Sequence, residues 1–111
     1  MNWINLNDMQ QLADIKELSK TRPQVIFKHS TRCSISTMAL SRLERNEQPE
    51  TGDFYFLDLI KHRTLSNKIA EDFAIMHESP QVLLIKNAEC VYDESHSGIQ
   101  MDEITEQIAL N

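Results

Sequence analysis

The hydrophobic pattern of the chain alternates between compact apolar runs and stripes with helical spacing. Runs rich in β-branched and aromatic residues predict buried strands. They lie at Gln24–Lys28, Phe54–Ile60 and Val82–Ile85. Shorter strands are predicted at Trp3–Leu6 and Cys90–Tyr92. The chain therefore offers several strand segments, the longest of which are strongly apolar.

Between the strands, apolar residues recur every three or four positions, which predicts helices. Asn7 is the predicted N-cap of the first helix, with Gln10 as its capping-box partner, and this helix runs to about Lys20. The later helices are predicted from Ser34 to Arg45, from Arg63 and Thr64 to Ala74, and around Met101, Ile104 and Ile108. Asn87 and Ala88 form a two-residue link between the last two strands, which predicts an antiparallel hairpin.

The predicted order of elements is β-α-β-α-β-α-β-β-α. Right-handed crossovers fold the part from Gln24 onward into a mixed four-stranded sheet with helices on both faces. A β-α-β half followed by a β-β-α half is the arrangement of the thioredoxin-like α/β fold, and the first strand and helix form an N-terminal extension to it. With two glycines, three prolines and no segment that resembles a linker or a repeat, residues 1–111 are expected to form a single domain.

The charge and hydrophobicity of the chain argue against two classes of function, nucleic-acid binding and membrane association. Asp and Glu number 17 against 11 Lys and Arg, and the formal net charge of -6 disfavours binding to a phosphate backbone. No apolar segment is as long as a membrane span requires, and the first residues lack a basic region followed by an apolar one. We therefore expect a cytoplasmic protein that binds neither nucleic acid nor membrane.

Cys33 is the residue best suited to chemistry. It falls where the apolar strand Gln24–Lys28 gives way to a helix, so its sulfur is expected at or just before the first helical turn. The free backbone N–H groups and the positive end of the helix dipole at such a position favour a thiolate over a thiol. Arg32 adds a neighbouring positive charge, and Lys28 and His29 close the strand.

Ser36 stands three residues after Cys33, where a Cys-x-x-Cys redox motif has its resolving cysteine. Its hydroxyl can donate a hydrogen bond to a thiolate but cannot form a disulfide. The site is therefore expected to be monothiol, with any disulfide at Cys33 made to another molecule's thiol. Cys33, Ser36 and Arg32 are the candidate catalytic residues, although a purely local hydrogen bond is an equally good interpretation of Ser36.

The turn Glu78–Gln81 is the second candidate element, because it directly precedes a buried strand. A cis bond between Ser79 and Pro80 would present the Ser79 backbone to an incoming peptide-like thiol. In a thioredoxin-like fold this turn faces the cysteine helix. Together with Thr31 beside the cysteine, Ser79 and Pro80 are the candidate substrate-binding residues.

Three segments resemble the monothiol bacilliredoxin family of bacillithiol-linked general stress proteins: Phe27–Ser36, Leu65–Ala70 and His77–Ile85. The resemblance runs over nearly the whole chain, with Ser34 standing where the family commonly has proline. It implies a thioredoxin-like fold, Cys33 as the nucleophile, no bound cofactor, and bacillithiol as a low-molecular-weight thiol co-substrate. The implied partners are bacillithiolated client proteins and a second thiol or a partner oxidoreductase that regenerates the cysteine.

Other functions fit the same residues. A monothiol glutaredoxin-like or arsenate-reductase-like enzyme would use another thiol or an oxyanion, although an oxyanion site would want a second arginine beside Arg32. A non-catalytic adaptor or redox sensor would use Cys33 as a modified switch. Cys90 is expected to be a structural cysteine rather than a resolving thiol. No metal site is predicted, because the four histidines are scattered; a cysteine-ligated metal or cluster shared by two chains is a more distant alternative.

Overall fold

The structure is a computed structural model that describes residues 1–110. Its strands are β1 (Ile4–Asn5), β2 (Gln24–His29), β3 (Asp53–Asp58), β4 (Gln81–Lys86) and β5 (Glu89–Ser95). Its helices are α1 (Met9–Leu18), α2 (Ser34–Glu44), α3 (Arg63–Phe73) and α4 (Met101–Ala109), with a short 3-10 turn at His96–Gly98 before α4. This is the predicted order of elements. None of the described helices is long and apolar enough to cross a membrane.

The strands form one mixed sheet in the order β1-β3-β2-β4-β5. Strand β3 lies parallel to β1 and β2, whereas β4 is antiparallel to β2 and β5. The predicted thioredoxin-like fold is confirmed, with one refinement: the N-terminal strand pairs with β3 and becomes an edge of the central sheet. Lys28 pairs with Gln81, so the end of β2 and the start of β4 lie side by side.

A hydrophobic core packs on each face of the sheet, because successive side chains of a strand point to opposite faces. One core joins α1 and α3 to residues such as Ile26 and Leu83. The other joins α2 and α4 to residues such as Phe27 and Leu84. Strand β2 is buried from end to end, as a central strand covered on both faces must be. The helix that follows β2 is thereby anchored to the most buried part of the molecule.

Helix α1 begins one residue later than predicted. Asp8, not Asn7, is the N-cap: its side chain accepts the Gln11 N–H at 2.9 Å, and the Gln11 side chain accepts the Asp8 N–H at 3.2 Å. The Gln11 amide also donates to the carbonyl of Asn5 at 2.7 Å. Gln11 rather than Gln10 completes the capping box, because it stands three residues after Asp8. Its contact with Asn5 ties the cap to β1.

The predicted hairpin between β4 and β5 is confirmed, and it turns at Asn87 and Ala88. Both residues have left-handed backbone conformations, with φ of 52° and 63°, which alanine adopts reluctantly. Ser19, the C-cap of α1, stabilises the turn: its carbonyl accepts the Asn87 N–H at 2.9 Å and its hydroxyl accepts the Ala88 N–H at 2.8 Å. These contacts let Asn-Ala serve where Asn-Gly is the usual sequence.

Candidate active site

Cys33 occupies the N-cap position of α2, at the end of the sheet where β2 terminates. Its backbone is extended (φ -113°, ψ 119°), its carbonyl accepts the Thr37 N–H at 3.1 Å, and its side chain makes no capping hydrogen bond. The residue is half-buried. It lies beside first-turn N–H groups that have no partner within the helix, where the helix dipole favours an anion. This is the placement that the sequence predicts.

Ser36 is fully buried in the first turn of α2. Its hydroxyl oxygen accepts the Ser30 N–H at 3.0 Å and lies 2.8 Å from Nδ1 of His29. Within residues 1–110 its hydroxyl is therefore bonded to the segment that ends β2, not to Cys33. Donation to the thiolate stays a prediction, because the single hydroxyl hydrogen is free for sulfur only when His29 itself donates from Nδ1.

His29, the last residue of β2, packs near Phe27 and Phe56, with ring centroids 5.9 and 5.2 Å away. Burial lowers the pKa of its imidazole below the ordinary 6.5, and the charge of Asp58 opposes that shift. The ring is therefore mainly neutral at pH 7, with one nitrogen that donates and one that accepts. Through Ser36 it belongs to the scaffold behind the cysteine.

Arg32 and Thr31 lie in the loop just before Cys33, and both are exposed. Ile35 and Met38 of α2 are exposed as well, at 50% and 62%. The residues on either side of the cysteine thus combine an exposed cation with exposed apolar side chains. Such a surface is accessible to a thiol-bearing partner.

The Ser79-Pro80 peptide bond is cis, and Pro80 is buried immediately before β4. The antiparallel pairing of β2 with β4 brings this turn to the same end of the sheet as Cys33. The Pro80 carbonyl accepts the His96 N–H at 3.1 Å. The structure thus places the two predicted halves of the site, the cysteine and the proline turn, at one end of neighbouring strands.

The loop before Pro80 is held largely by the side chain of Gln81. Its amide donates to the Met76 carbonyl at 3.0 Å and accepts the Glu78 N–H at 3.4 Å. The Ser79 hydroxyl oxygen, by contrast, is buried and has no hydrogen-bond partner in the described part of the chain. Ser79 itself therefore does little to fix the turn through its side chain.

Lys28, which the sequence places only at the end of a strand, also belongs to this region. Its side chain is only 1% exposed, and its Nζ lies 3.1 Å from the Ser66 carbonyl oxygen and 3.2 Å from Nδ1 of His77. Burial lowers the pKa of Lys28 to about 8. The available signal is alternation, because Lys28 shares a face with Ile26 in a strand that is buried on both sides.

Cys90 lies outside the candidate active site and is a structural cysteine. It lies half-buried in β5 and packs against the core on the α1 and α3 face, with its sulfur 3.4 Å from the Tyr92 carbonyl oxygen. Burial raises the pKa of the Cys90 thiol to about 11, so it is a poor nucleophile at neutral pH. Among residues 1–110, no group of His, Cys, Asp and Glu side chains is arranged to hold a metal ion.

The fold and the lone cysteine at the start of α2 define a thioredoxin-fold protein with a monothiol motif. The chain is similar to a solved structure provisionally described as an oxidoreductase with a thioredoxin fold, with 29% identity, a TM-score of 0.81, and coverage of 93% of this chain and 90% of that one. It is also similar to the thioredoxins of Malassezia sympodialis (17% identity, TM-score 0.70, coverage 94% and 85%) and Schistosoma mansoni (23%, 0.69, 96% and 92%). At these lower identities the likeness establishes the fold alone.

The family follows from the sequence model of the monothiol bacilliredoxin BrxC family, which matches residues 4–104. The chain belongs to this family, so the resemblance seen in the sequence motifs is confirmed. Family and fold together place the protein among the thiol oxidoreductases.

Proposed function

We propose that the protein removes bacillithiol from client proteins in the cytoplasm by thiol-disulfide exchange at Cys33. The supporting observation is a half-buried cysteine at the N-terminus of α2 with a buried serine, Ser36, in the resolving position. Serine cannot form a disulfide, and the raised pKa of Cys90 makes that thiol a poor partner at neutral pH. The oxidised product is therefore a disulfide between Cys33 and another molecule.

In the first step the Cys33 thiolate attacks the bacillithiol sulfur of a mixed disulfide on the client. A disulfide forms between Cys33 and bacillithiol, and the bond between bacillithiol and the client breaks. The electron pair leaves on the client sulfur, which takes up a proton. A second thiol, either a small thiol or that of a partner oxidoreductase, then attacks the disulfide at Cys33 and releases the cysteine as thiolate.

The surrounding residues take binding roles in this proposal. Exposed Arg32 pairs with a carboxylate of the small thiol, which a guanidinium suits by its fixed charge and fork of donors. Thr31 and the Ser79-Pro80 turn contact the segment that carries the disulfide. Their common location at one end of the sheet supports these roles.

The test uses a peptide that carries bacillithiol on a single cysteine, with release of the free peptide followed by mass spectrometry. We expect the wild type to release the peptide and to gain the mass of bacillithiol at Cys33, and Cys90→Ala to do the same. Cys33→Ala should do neither. Release by Cys33→Ala at the wild-type rate would refute the proposal.

A glutathione mixed disulfide of the same peptide measures which thiol is preferred. Faster release of glutathione than of bacillithiol would favour a glutaredoxin-like activity. Binding of the peptide without exchange of either thiol would favour an adaptor or sensor.

A further inference from the structure

Lys28 is buried, and its two hydrogen-bond partners carry no formal negative charge. Its Nζ donates to the Ser66 carbonyl and contacts Nδ1 of His77, and no salt bridge involves it within residues 1–110. A charged amine held only by dipoles lowers stability relative to an apolar side chain, because no counter-ion offsets its desolvation. A role in packing alone does not explain a lysine at this position.

The three groups come from three elements that meet at the cysteine end of the sheet. Lys28 lies in β2 on the path to Cys33, Ser66 lies in the first turn of α3, and His77 lies in the loop that leads to Pro80. Lys28 therefore links the strand that carries the cysteine to the loop that carries the proline turn.

The contact between Lys28 and His77 is complementary at neutral pH. Burial lowers the pKa of His77, the charges of Lys28 and Arg63 lower it further, and Glu78 opposes the shift. A neutral imidazole accepts a hydrogen bond at Nδ1, and an ammonium group has three hydrogens to donate. Because the Ser79 hydroxyl makes no hydrogen bond in the described chain, the position of the loop depends on neighbouring contacts. Gln81 binds the backbone of Met76 and Glu78, and Lys28 binds the side chain of His77 between them.

We propose that Lys28 is a positioning residue for the exchange reaction: by binding His77 and α3 it holds the Ser79-Pro80 turn in place beside Cys33. This inference rests on the proposed exchange activity of Cys33. Disulfide exchange requires the attacking, central and leaving sulfurs to be aligned. A small displacement of a surface that orients the disulfide therefore lowers the rate.

Lys28→Met keeps the length of the side chain and removes its charge and hydrogen bonds. We expect kcat/KM for release of bacillithiol from the peptide to fall on the order of 10-fold, with the loss in kcat, because alignment rather than affinity is disturbed. The urea midpoint of unfolding should not fall. The control Lys86→Met removes a lysine that donates to the Gln107 carbonyl at 2.9 Å, at the far end of β4, and should leave kcat unchanged. Wild-type kcat in Lys28→Met would overturn the inference.

A matched pair at His77 provides a second test that does not depend on the folding of Lys28→Met. His77→Asn keeps an acceptor close to the position of Nδ1, whereas His77→Leu removes it. We expect the Asn variant to retain most of the exchange rate and the Leu variant to lose as much as Lys28→Met. The double variant of Lys28→Met with His77→Leu should lose no more than either alone. Equal rates in the two His77 variants would contradict the inference.

The pH profile separates positioning from packing. As pH rises through the pKa of Lys28, near 8, the ammonium becomes a neutral amine, whose hydrogen bonds to Ser66 and His77 are weaker. The wild type should therefore lose part of its kcat over this range, and Lys28→Met should lack this decrease. The other charged groups that face the pair are Arg63 of α3 and Glu78 of the loop, with His96 beyond Glu78. Identical pH profiles of the wild type and Lys28→Met would overturn the inference about Lys28 but not the proposed function. A wild type without exchange activity at any pH would refute the proposed function, and the inference with it.

Discussion

The Ser36 hydroxyl lies 2.8 Å from Nδ1 of His29, so the side chain in the resolving position of the motif is bonded to the strand behind the cysteine. The same oxygen accepts the Ser30 N–H. Both partners belong to the segment that ends β2 and leads to Cys33. Ser36 thus fixes the path of the chain into the site.

Ser36→Ala should destabilise the protein. It leaves the part-buried Ser30 N–H and the buried Nδ1 of His29 without their partner, which costs about 1–3 kcal/mol in the free energy of unfolding. The control Ser34→Ala changes an exposed serine of the same turn and should cost about 0.5 kcal/mol or less. Urea unfolding measures both. Equal stability of the two variants would contradict the structural role. Slower alkylation of Cys33 in folded Ser36→Ala would in addition assign the hydroxyl to the thiolate.

Lys28→Met should be more stable than the wild type at neutral pH, and its advantage should shrink in alkali. Burial lowers the pKa of Lys28 from 10.5 to about 8. Between these values the folded state binds fewer protons than the unfolded state, so the wild type gains stability as pH rises. The difference in unfolding free energy should be on the order of 2 kcal/mol at pH 7 and should decrease towards pH 10. A difference that does not change with pH would show that folding does not lower the pKa of Lys28.

The two cysteines should differ sharply in reactivity. Burial raises the pKa of Cys90 to about 11, so at pH 7.5 very little of it is thiolate in the folded protein. Short treatment with iodoacetamide, followed by peptide mapping, should label Cys33 and leave Cys90 unmodified. In concentrated urea, where burial is lost, both cysteines should be labelled. Equal labelling of the folded protein would contradict the structural assignment of Cys90.

Arg32 should contribute to binding of the small thiol rather than to the chemical step. Arg32→Met is expected to raise KM for a bacillithiol mixed disulfide about 3- to 10-fold with little change in kcat, because it removes an exposed charge pair whose strength is about 1 kcal/mol. Arg45→Met, at the other end of α2, is the matched control and should leave KM unchanged. If the two variants behave alike, Arg32 is an ordinary surface charge.

The hairpin turn offers a test of the fold itself. Ala88 has a φ of 63°, so Ala88→Gly should raise the free energy of unfolding by about 0.5–1 kcal/mol, since glycine adopts this conformation without steric cost. Ala13→Gly, in the middle of α1, should lower it by a similar amount. The two substitutions are chemically identical. Changes of opposite sign in the free energy of unfolding, measured in urea, would therefore show that the backbone conformation at each position determines the effect. A loss of stability in Ala88→Gly would contradict the left-handed turn.

The sequence predicts those parts of the fold whose pattern is local. Strand β2 is built on a compact apolar run at residues 25–27, and Cys33 comes just before the helical spacing begins. The sequence therefore predicts the positions of both the strand and the cysteine. The start of α1 could not be fixed in this way, because Asn7 and Asp8 are both good N-caps. The choice depends on the contact of Gln11 with Asn5, which exists only after β1 has joined the sheet.

Two further features needed the tertiary structure. The sequence predicts that β5 ends at Tyr92, but the strand continues to Ser95. It is an edge strand in which Glu89, Val91 and Asp93 face solvent, and the charged pair Asp93 and Glu94 interrupts the apolar pattern that marks a strand in the sequence. In the sequence, Lys28 is a charged residue that follows an apolar run, as at the exposed end of a strand. It becomes part of the buried site only because the Ser66 carbonyl and His77, far away in sequence, supply its hydrogen bonds.

The serine at the fourth position of the motif has a consequence for how long an exchanged thiol stays on the protein. In a dithiol enzyme the second cysteine of the motif releases the bound thiol, at a rate that does not depend on the concentration of external thiol. Here the proposed adduct at Cys33 can be cleared only by collision with a free thiol. Its lifetime is then inversely proportional to the concentration of reduced thiol outside the protein. The loaded fraction would therefore act as a gauge of the reducing capacity of the cell.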